Sequence, residues 1–259
     1  MNITWSAERY AQNFQFVPGY GESVMDLLDC PPESRVIDLG CGTGRLTQKL
    51  AERGYCALGI DPSPSMLEKA KTSFPSLSFL QADALSYSDH GKADAVFSNA
   101  VFHWIDEGKH DILLANIADS LKPGGQLVFE FGGKGNAEIV HKALETAFQR
   151  RGLAYPRTFY FPSIGEYAPR MEKAGLIPVF SALFHRKTKV SSLEDWIRMF
   201  IQTPFTGMSS AEERAILTEA SEEARPLLYE NGIWYVDYVR IRMKAIRSSQ
   251  TKYEVPFLP

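Results

Sequence analysis

Val36-Ile-Asp-Leu-Gly-Cys-Gly-Thr-Gly44 is the stretch that decides the fold, because an apolar run with an acid is followed by three closely spaced glycines. We predict a short buried strand over residues 35–39, a turn through Gly42 and Gly44, and a helix that begins near Arg45. Glycine adopts positive φ without steric cost, and its missing Cβ lets a ligand approach the backbone. The stretch therefore predicts a loop that binds a nucleotide-type cofactor.

The spacing of the glycines indicates which cofactor the loop binds. A dinucleotide fingerprint reads G-x-G-x-x-G, whereas here the third glycine comes one position early and Arg45 takes the place of the last one. The run resembles motif I of the class I S-adenosylmethionine-dependent methyltransferases. That resemblance implies that the loop holds the amino-acid end of S-adenosylmethionine and releases S-adenosylhomocysteine as product. The implied loop contacts are Gly40, Cys41, Gly42, Thr43 and Gly44.

An acid also follows the second predicted strand. Tyr55 to Ile60 is an apolar run of strand length that ends at Asp61, and Ser63-Pro64 then provides an N-cap and a first helical residue. In the family that this chain resembles, Asp61 accepts hydrogen bonds from both ribose hydroxyls, with Pro62 beside it. Met66 matches the position that packs on adenine, although a methionine in a helix core is the competing interpretation.

The third and fourth predicted strands end in further cofactor candidates. Residues 77–80 lead to Asp83 and Ala84, which match the family motif that binds the adenine amino group and ring. Residues 93–99 form the fourth strand, whose end the resemblance places near the methionine portion of the cofactor. The implied contacts there are Asn99, Ala100 and Val101.

Asp38 lies inside the first predicted strand, just before the glycines. A buried acid needs a partner, because an unpaired charge is costly away from water. The ammonium group of the cofactor and the backbone amides of the loop are the two candidates.

His103 and Trp104 are the candidates for acceptor chemistry. The segment Ser98 to Ile105, together with Trp5 to Tyr10, is similar to the small-molecule branch that includes trans-aconitate and juvenile hormone acid methyltransferases. A carboxylate acceptor would need orientation by the indole and imidazole N–H groups, whereas a hydroxyl acceptor would give its proton to His103. A histidine bonded to backbone and a packed tryptophan are the alternatives.

The strand and helix signals alternate along the chain, which predicts an α/β fold with a doubly wound, mostly parallel sheet. The resemblance makes this a seven-stranded, Rossmann-like methyltransferase fold. Residues 31–190 with 233–248 form the predicted core, and residues 191–232 form a helical cap inserted before the last strand. Residues 1–30 form a predicted N-terminal lid over the cofactor, in which Tyr10 contacts it.

Three features of the second half have less specific interpretations. The aromatic segment Tyr155 to Pro162 suits the rim of a pocket or packing at the surface. The basic run His185 to Lys189 predicts a solvated surface. Arg240 and Arg242 alternate on the predicted last strand, where they are candidates for binding an acid.

Composition and charge exclude several classes. Of 259 residues, 44% are hydrophobic and 23% are charged, as in ordinary globular proteins. The formal net charge of −3 disfavours a nucleic-acid partner. The three cysteines are too few and too scattered for a disulfide framework or a zinc site, so no metal is expected. Neither a signal peptide nor a membrane span of about 20 apolar residues is evident, so we expect a cytoplasmic protein with no membrane partner. The oligomeric state is not readable.

Other interpretations stay open. A nicotinamide-dependent oxidoreductase is opposed by Arg45, and a noncatalytic cofactor-binding module is compatible with the intact loop and acids. An enzyme that methylates amino groups of RNA or DNA is disfavoured, because residues 98–101 read Ser-Asn-Ala-Val and not the Asn-Pro-Pro-Tyr type of motif. The expected reaction is methyl transfer from S-adenosylmethionine to a carboxylate or hydroxyl oxygen of a small molecule.

Overall fold

A computed structural model describes the backbone of residues 16–249 and the side chains of residues 21–249. The helices are α1 (Phe16–Met25), α2 (Arg45–Glu52), α3 (Pro64–Ser73), α4 (His110–Ser120), α5 (Glu138–Gln149), α6 (Ile164–Lys173), α7 (Leu193–Phe200) and α8 (Ser210–Leu228). The strands are β1 (Arg35–Leu39), β2 (Cys56–Asp61), β3 (Ser78–Gln81), β4 (Ala93–Asn99), β5 (Leu121–Gly132), β6 (Leu176–Val190), β7 (Tyr229–Glu230) and β8 (Ile233–Arg247). Within residues 16–249, no helix is both long and apolar enough to cross a membrane.

The strands form one sheet with the order β3-β2-β1-β4-β5-β8-β6, and β7 pairs with β8 off this path. All neighbours from β3 to β5 are parallel, whereas β8 is antiparallel to both β5 and β6. The mostly parallel α/β sheet is therefore confirmed, with the two-residue β7 as an addition to the seven expected strands. Because β1, β2 and β4 are parallel, their carboxyl ends lie at the same edge of the sheet.

Alternate strand residues enter two different apolar cores, which explains why helices cover both faces. Val36 and Phe97 pack in one core with Val24 of α1 and Leu50 of α2. Their chain neighbours on the opposite face belong to a second core, which includes Ile37, Val96, Leu113 of α4 and Tyr167 of α6. A period of two within each strand thus directs side chains to both layers.

A third apolar core lies away from the sheet centre. Helices α7 and α8 follow β6 and precede β8, and they bury Ile197 and Leu217 against Leu144 of α5. Val236 and Tyr238 of β8 join the same cluster. These two helices correspond to the segment predicted as a cap.

The structure adds detail to β5 and corrects one prediction for the second half of the chain. In β5, Leu121 pairs with Ala93 and Gln126 then pairs with Ala95, so Lys122 to Gly125 bulge from the ladder. Strand β6 continues to Val190, and so the basic run lies on a strand. Arg186 of that run is not solvated surface, because it forms an ion pair of 2.5 Å with the buried Glu130.

The predicted N-terminal lid falls largely outside the described residues. Tyr10 is among residues 1–15, which the structure does not describe. Helix α1 lies in the second half of the predicted lid segment, and its residues Val24 and Met25 are buried in the core beside the sheet.

Candidate functional site

The glycine loop between β1 and α2 owes its shape to three positive φ angles, which are 80° at Gly40, 54° at Gly42 and 79° at Gly44. Most of its amides are bonded inside the protein. Gly40 and Cys41 both donate to the carbonyl of Ile60, at 2.7 and 3.0 Å, and Gly44 donates to Cys41 at 2.9 Å. These bonds to the end of β2 hold the loop in place before any ligand arrives.

The three glycines meet different surroundings. A Cβ on Gly40 would lie 2.3 Å from Cγ2 of Val101, and one on Gly44 would lie 2.7 Å from Phe79. A Cβ on Gly42 would meet nothing within 4 Å. Gly40 and Gly44 are therefore needed for packing, whereas Gly42 exposes bare backbone to open space that a ligand can enter.

Asp61 ends β2 and is connected directly to the glycine loop. One carboxylate oxygen accepts from the amide of Gly42 at 2.9 Å, and the other accepts from the amide of Ser63 at 2.9 Å. Burial raises the pKa of Asp61 from its ordinary value, because the charged form loses hydration. Each carboxylate oxygen has a further lone pair, so this acid can also accept from a ligand at the loop.

Asp38 has a partner that sequence reasoning missed. Thr47 of α2 donates its hydroxyl hydrogen to Oδ2 of Asp38 over 2.6 Å, and both residues are buried. Burial raises the pKa of Asp38 to about 7. Neither predicted partner, the cofactor ammonium or a loop amide, is needed to account for this acid, although a Thr two residues into an amphipathic helix could have suggested the bond.

A cleft of about 470 Å³ opens beside the loop at the carboxyl edge of the sheet. Its walls include five of the predicted cofactor residues: Gly40, Pro62, Asp83, Ala84 and Val101. Asp83 is exposed and accepts from the amide of Leu85 at 2.9 Å. Met66 is 4% exposed in α3 and does not line this cleft, which agrees with the helix-core interpretation.

The end of β4 separates this cleft from a second cavity. Ala100 adopts a left-handed conformation with φ of 60°, an uncommon one for a residue with a Cβ. Its amide donates to the backbone carbonyl of Glu130 at 2.7 Å, while Val101 packs under Gly40. The side chain of Asn99 lies against Gly21 of α1, since a Cβ there would be 3.2 Å from Nδ2 of Asn99.

The second cavity has a volume of about 500 Å³. Both acceptor-site candidates and Ala100 line it, together with residues from α5, α7, β8 and the segment before α6. Its lining is Ala100, His103, Trp104, Asn136, His141, Phe159, Phe161, Trp196, Phe200, Tyr238 and Arg240. The structure thus brings together residues that lie up to 140 positions apart in the chain.

His103 is buried, and its Nδ1 accepts from the amide of Gly132 over 3.2 Å. That bond requires the neutral tautomer with hydrogen on Nε2. Burial and the nearby guanidinium of Arg240 lower the pKa of His103 well below its ordinary value. His103 is therefore arranged as a hydrogen-bond donor, and the predicted alternative as a base for a hydroxyl acceptor is disfavoured.

Trp104 does not offer its indole N–H to an acceptor as predicted. The indole nitrogen donates to the carbonyl of Ala100 at 3.2 Å, which helps to hold the left-handed turn. Its ring packs edge-on against Phe159, with 5.0 Å between centroids. Trp104 thus forms an aromatic wall of the cavity.

Two further residues of the cavity carry polar groups. Sequence reasoning missed His141, and it did not distinguish Arg240 from Arg242. His141 is buried in α5, its Nδ1 lies 2.7 Å from the Tyr155 hydroxyl, and burial lowers its pKa to about 4. Arg240 is 7% exposed and stacks on the ring of Tyr238 at 4.1 Å. Arg242 lies outside the cavity lining and pairs with Glu130 at 2.7 Å, so Arg240 and Arg242 differ in role.

Comparisons with known proteins agree with this geometry. Residues 36–125 match a family model described as a methyltransferase domain. Trans-aconitate 2-methyltransferase of Methylobacterium nodulans is 37% identical over 225 residues, which cover 82% of this chain and 84% of the relative. The enzyme of the same name from Rhizobium leguminosarum bv. trifolii is 28% identical and covers 95% of this chain and 100% of the relative. A Bacillus halodurans protein, provisionally described as a methyltransferase, shares the fold with a TM-score of 0.65 at 16% identity, over 89% of this chain and 100% of that chain.

Proposed function

This chain belongs to the class I S-adenosylmethionine-dependent methyltransferases, and on that premise we propose that it methylates a carboxylate oxygen of a small molecule to give a methyl ester. The observation that carries the proposal is the guanidinium of Arg240 beside His103 in the cavity next to the end of β4. The relatives named trans-aconitate 2-methyltransferases support it, since their named substrate is a carboxylic acid.

The residues of the loop fit S-adenosylmethionine. Gly42 leaves room for a ligand directly on the backbone, and Asp61 beside it keeps acceptor capacity for ribose hydroxyls. Asp83 and Ala84 line the adjacent cleft, where we assign the adenine. The bound cofactor supplies a methyl group on a positively charged sulfur, which is a strong electrophile.

Arg240 and His103 form the acceptor end of the proposed site. Gly132 connects them, because it pairs with Arg240 across β5 and β8 and donates its amide to His103. A guanidinium and an imidazole N–H are both hydrogen-bond donors, and a carboxylate accepts from both. Together they offset the cost of bringing a carboxylate out of water.

The proposed step needs no base from the protein. A carboxylate is already ionised at neutral pH, so one of its oxygens can attack the methyl carbon as the carbon–sulfur bond breaks and the electron pair goes to sulfur. The protein aligns the acceptor and excludes water. The ester group that forms is neutral and no longer pairs with Arg240, which favours release of the product.

Isotope-labelled S-adenosylmethionine and a panel of carboxylic acids test the proposal, with base-labile labelled ester measured by mass spectrometry. Arg240→Met should lower kcat/KM about 10- to 100-fold, because a hydrogen-bonded charge is worth about 1.5 to 3 kcal/mol. Arg225→Met, on the exposed face of α8, is the control and should change little. Methylation of hydroxyls or amines with none of carboxylates would refute ester formation.

A further inference from the structure

The walls of the acceptor cavity are mostly aromatic. Trp196 and Phe200 come from α7, and their ring centroids are 5.4 Å apart. Phe159 and Phe161 come from the segment before α6 and stack at 5.4 Å with an interplanar angle of 8°. Gly132 makes this arrangement possible, since a Cβ there would lie 2.5 Å from the ring of Phe161. The acceptor therefore meets ring surfaces on several sides.

Much of the hydrogen-bonding capacity of these walls is already used inside the protein. The indole nitrogen of Trp196 donates to the hydroxyl of Tyr238 at 2.7 Å. The Trp104 indole donates to Ala100, and Oδ1 of Asn136 accepts from the amide of Val239 at 3.1 Å. His141 is bonded to Tyr155 through Nδ1. These bonded atoms already have partners inside the protein, so Trp104 and Trp196 contribute mainly their ring surfaces to the cavity.

Charged side chains are rare among the described residues that line the cavity. Among the described residues that line the cavity, Arg240 is the one with a permanently charged side chain, and none is Asp, Glu or Lys. Both histidines are neutral at pH 7, because burial lowers the pKa of each. Among the described lining residues, the one permanent positive charge is therefore that of Arg240, which lies beside His103 at the end where β5 and β8 pair.

We infer that the acceptor carries a single carboxylate on an apolar or aromatic body, so that the cavity selects monocarboxylates over the polycarboxylates that a trans-aconitate enzyme uses. This inference rests on the proposed function and narrows its substrate class. The carboxylate binds Arg240 and the Nε2 hydrogen of His103, and the body lies against the rings of Phe159, Phe200 and Trp196.

The physical reason is the cost of a second charge. An ionised carboxylate that leaves water without a paired cation loses several kcal/mol of hydration, which aromatic rings do not restore. An apolar chain in the same place gains about 0.8 kcal/mol for each buried methylene. Apolar monoacids should therefore bind better with each added methylene until the cavity is full, whereas diacids should not.

Matched pairs of acids test the inference with the full chain. Octanoate and octanedioate have the same carbon chain and differ by the second carboxylate, and 3-phenylpropanoate with its 4-carboxy derivative forms an aromatic pair. We expect kcat/KM for each monoacid to exceed that of its diacid at least about 100-fold. Acceptor binding to the protein loaded with S-adenosylhomocysteine is measured independently by tryptophan fluorescence, since Trp104 and Trp196 line the cavity.

The outcomes separate the inference from the proposed function. Methyl esters from octanedioate or trans-aconitate at rates equal to or above those of the monoacids would overturn the inference, while ester formation itself would stand. No ester from any acid would refute the proposed function and the inference together. Monoacid preference in both turnover and binding supports both.

A substitution in the aromatic wall provides a second test. Phe159 is half-buried in a segment without regular structure, so an arginine there is tolerated more easily than in a strand. Phe159→Arg adds a second cation and should reduce the preference for monoacids at least about 10-fold. Val179→Arg, on the exposed part of β6, is the matched control and should keep the original preference. If Phe159→Arg kept the original preference for monoacids, the preference would not depend on the number of cations in the cavity wall, and the inference would be contradicted.

Discussion

Gly42→Ala separates a structural role of the glycine loop from a role in binding. Gly42 has a φ of 54°, and an added Cβ would meet nothing within 4 Å. In the protein without ligand, the substitution therefore costs only the strain of a left-handed alanine, which is about 1 to 2 kcal/mol. If the cofactor occupies the space above Gly42, the new methyl group overpacks it, at a further cost of about 1 to 3 kcal/mol. We expect the Kd for S-adenosylhomocysteine to rise roughly 10- to 100-fold.

Gly175→Ala is the matched control, because Gly175 also has a positive φ, 78°, and open space around its absent Cβ. It lies between α6 and β6. Both variants should lose similar free energy of unfolding in urea titrations, and only Gly42→Ala should weaken cofactor binding in calorimetry. Equal cofactor affinity in the two variants would show that the space above Gly42 is not used by the cofactor, and the site assignment would be wrong.

Three further substitutions test the hydrogen bonds around the two cavities. Thr47→Val removes the hydroxyl donor of buried Asp38 and should lower the free energy of unfolding by about 1 to 3 kcal/mol, whereas Thr72→Val on exposed α3 should change it by less than about 0.5 kcal/mol. Burial raises the pKa of Asp38 from 3.8 to about 7, so the folded state holds this proton more tightly and loses stability as the pH rises from about 4 to about 7. In urea titrations, the free energy of unfolding of Asp38→Asn should therefore increase relative to that of the native protein over that pH range. A difference that stays constant with pH would contradict the raised pKa of Asp38. His103→Ala should lower kcat roughly 10-fold or more and leave the Kd for S-adenosylhomocysteine within about 2-fold. In the native protein, the pH profile of kcat should show no ionisation near pH 6.5, since the pKa of His103 lies well below its ordinary value. A kcat that falls as a group of pKa near 6.5 becomes protonated would revive His103 as a base.

The cofactor half of the site could be predicted because its residues are local in sequence. Val36 to Gly44 supplies strand, turn and helix start in one run, and the acids of the next strands follow in order. Parallel pairing of short strands then brings Asp61 and Asn99 to one edge of the sheet without any knowledge of side-chain packing. The roles of these residues toward the cofactor stay predictions.

Of the second cavity, the sequence indicated His103, Trp104 and Arg240, but the remaining lining could not be predicted, since it depends on contacts between distant segments. Nothing in the pattern of α5 distinguishes His141 from an ordinary core residue until Tyr155 packs against it. Arg240 and Arg242 are equivalent in sequence spacing, and only the pairing of β8 with β5 directs one to the cavity and the other to Glu130.

The long antiparallel strand β8 has a consequence for the newly synthesised protein. The glycine loop and the cleft beside it use residues 39–109, whereas the second cavity is complete only when Tyr238 and Arg240 have joined the sheet. A ribosome releases these two residues after residues 39–109, so the cleft and the second cavity are completed at different times. A chain cut before β8 would lack Tyr238 and Arg240 and therefore part of the lining of this cavity.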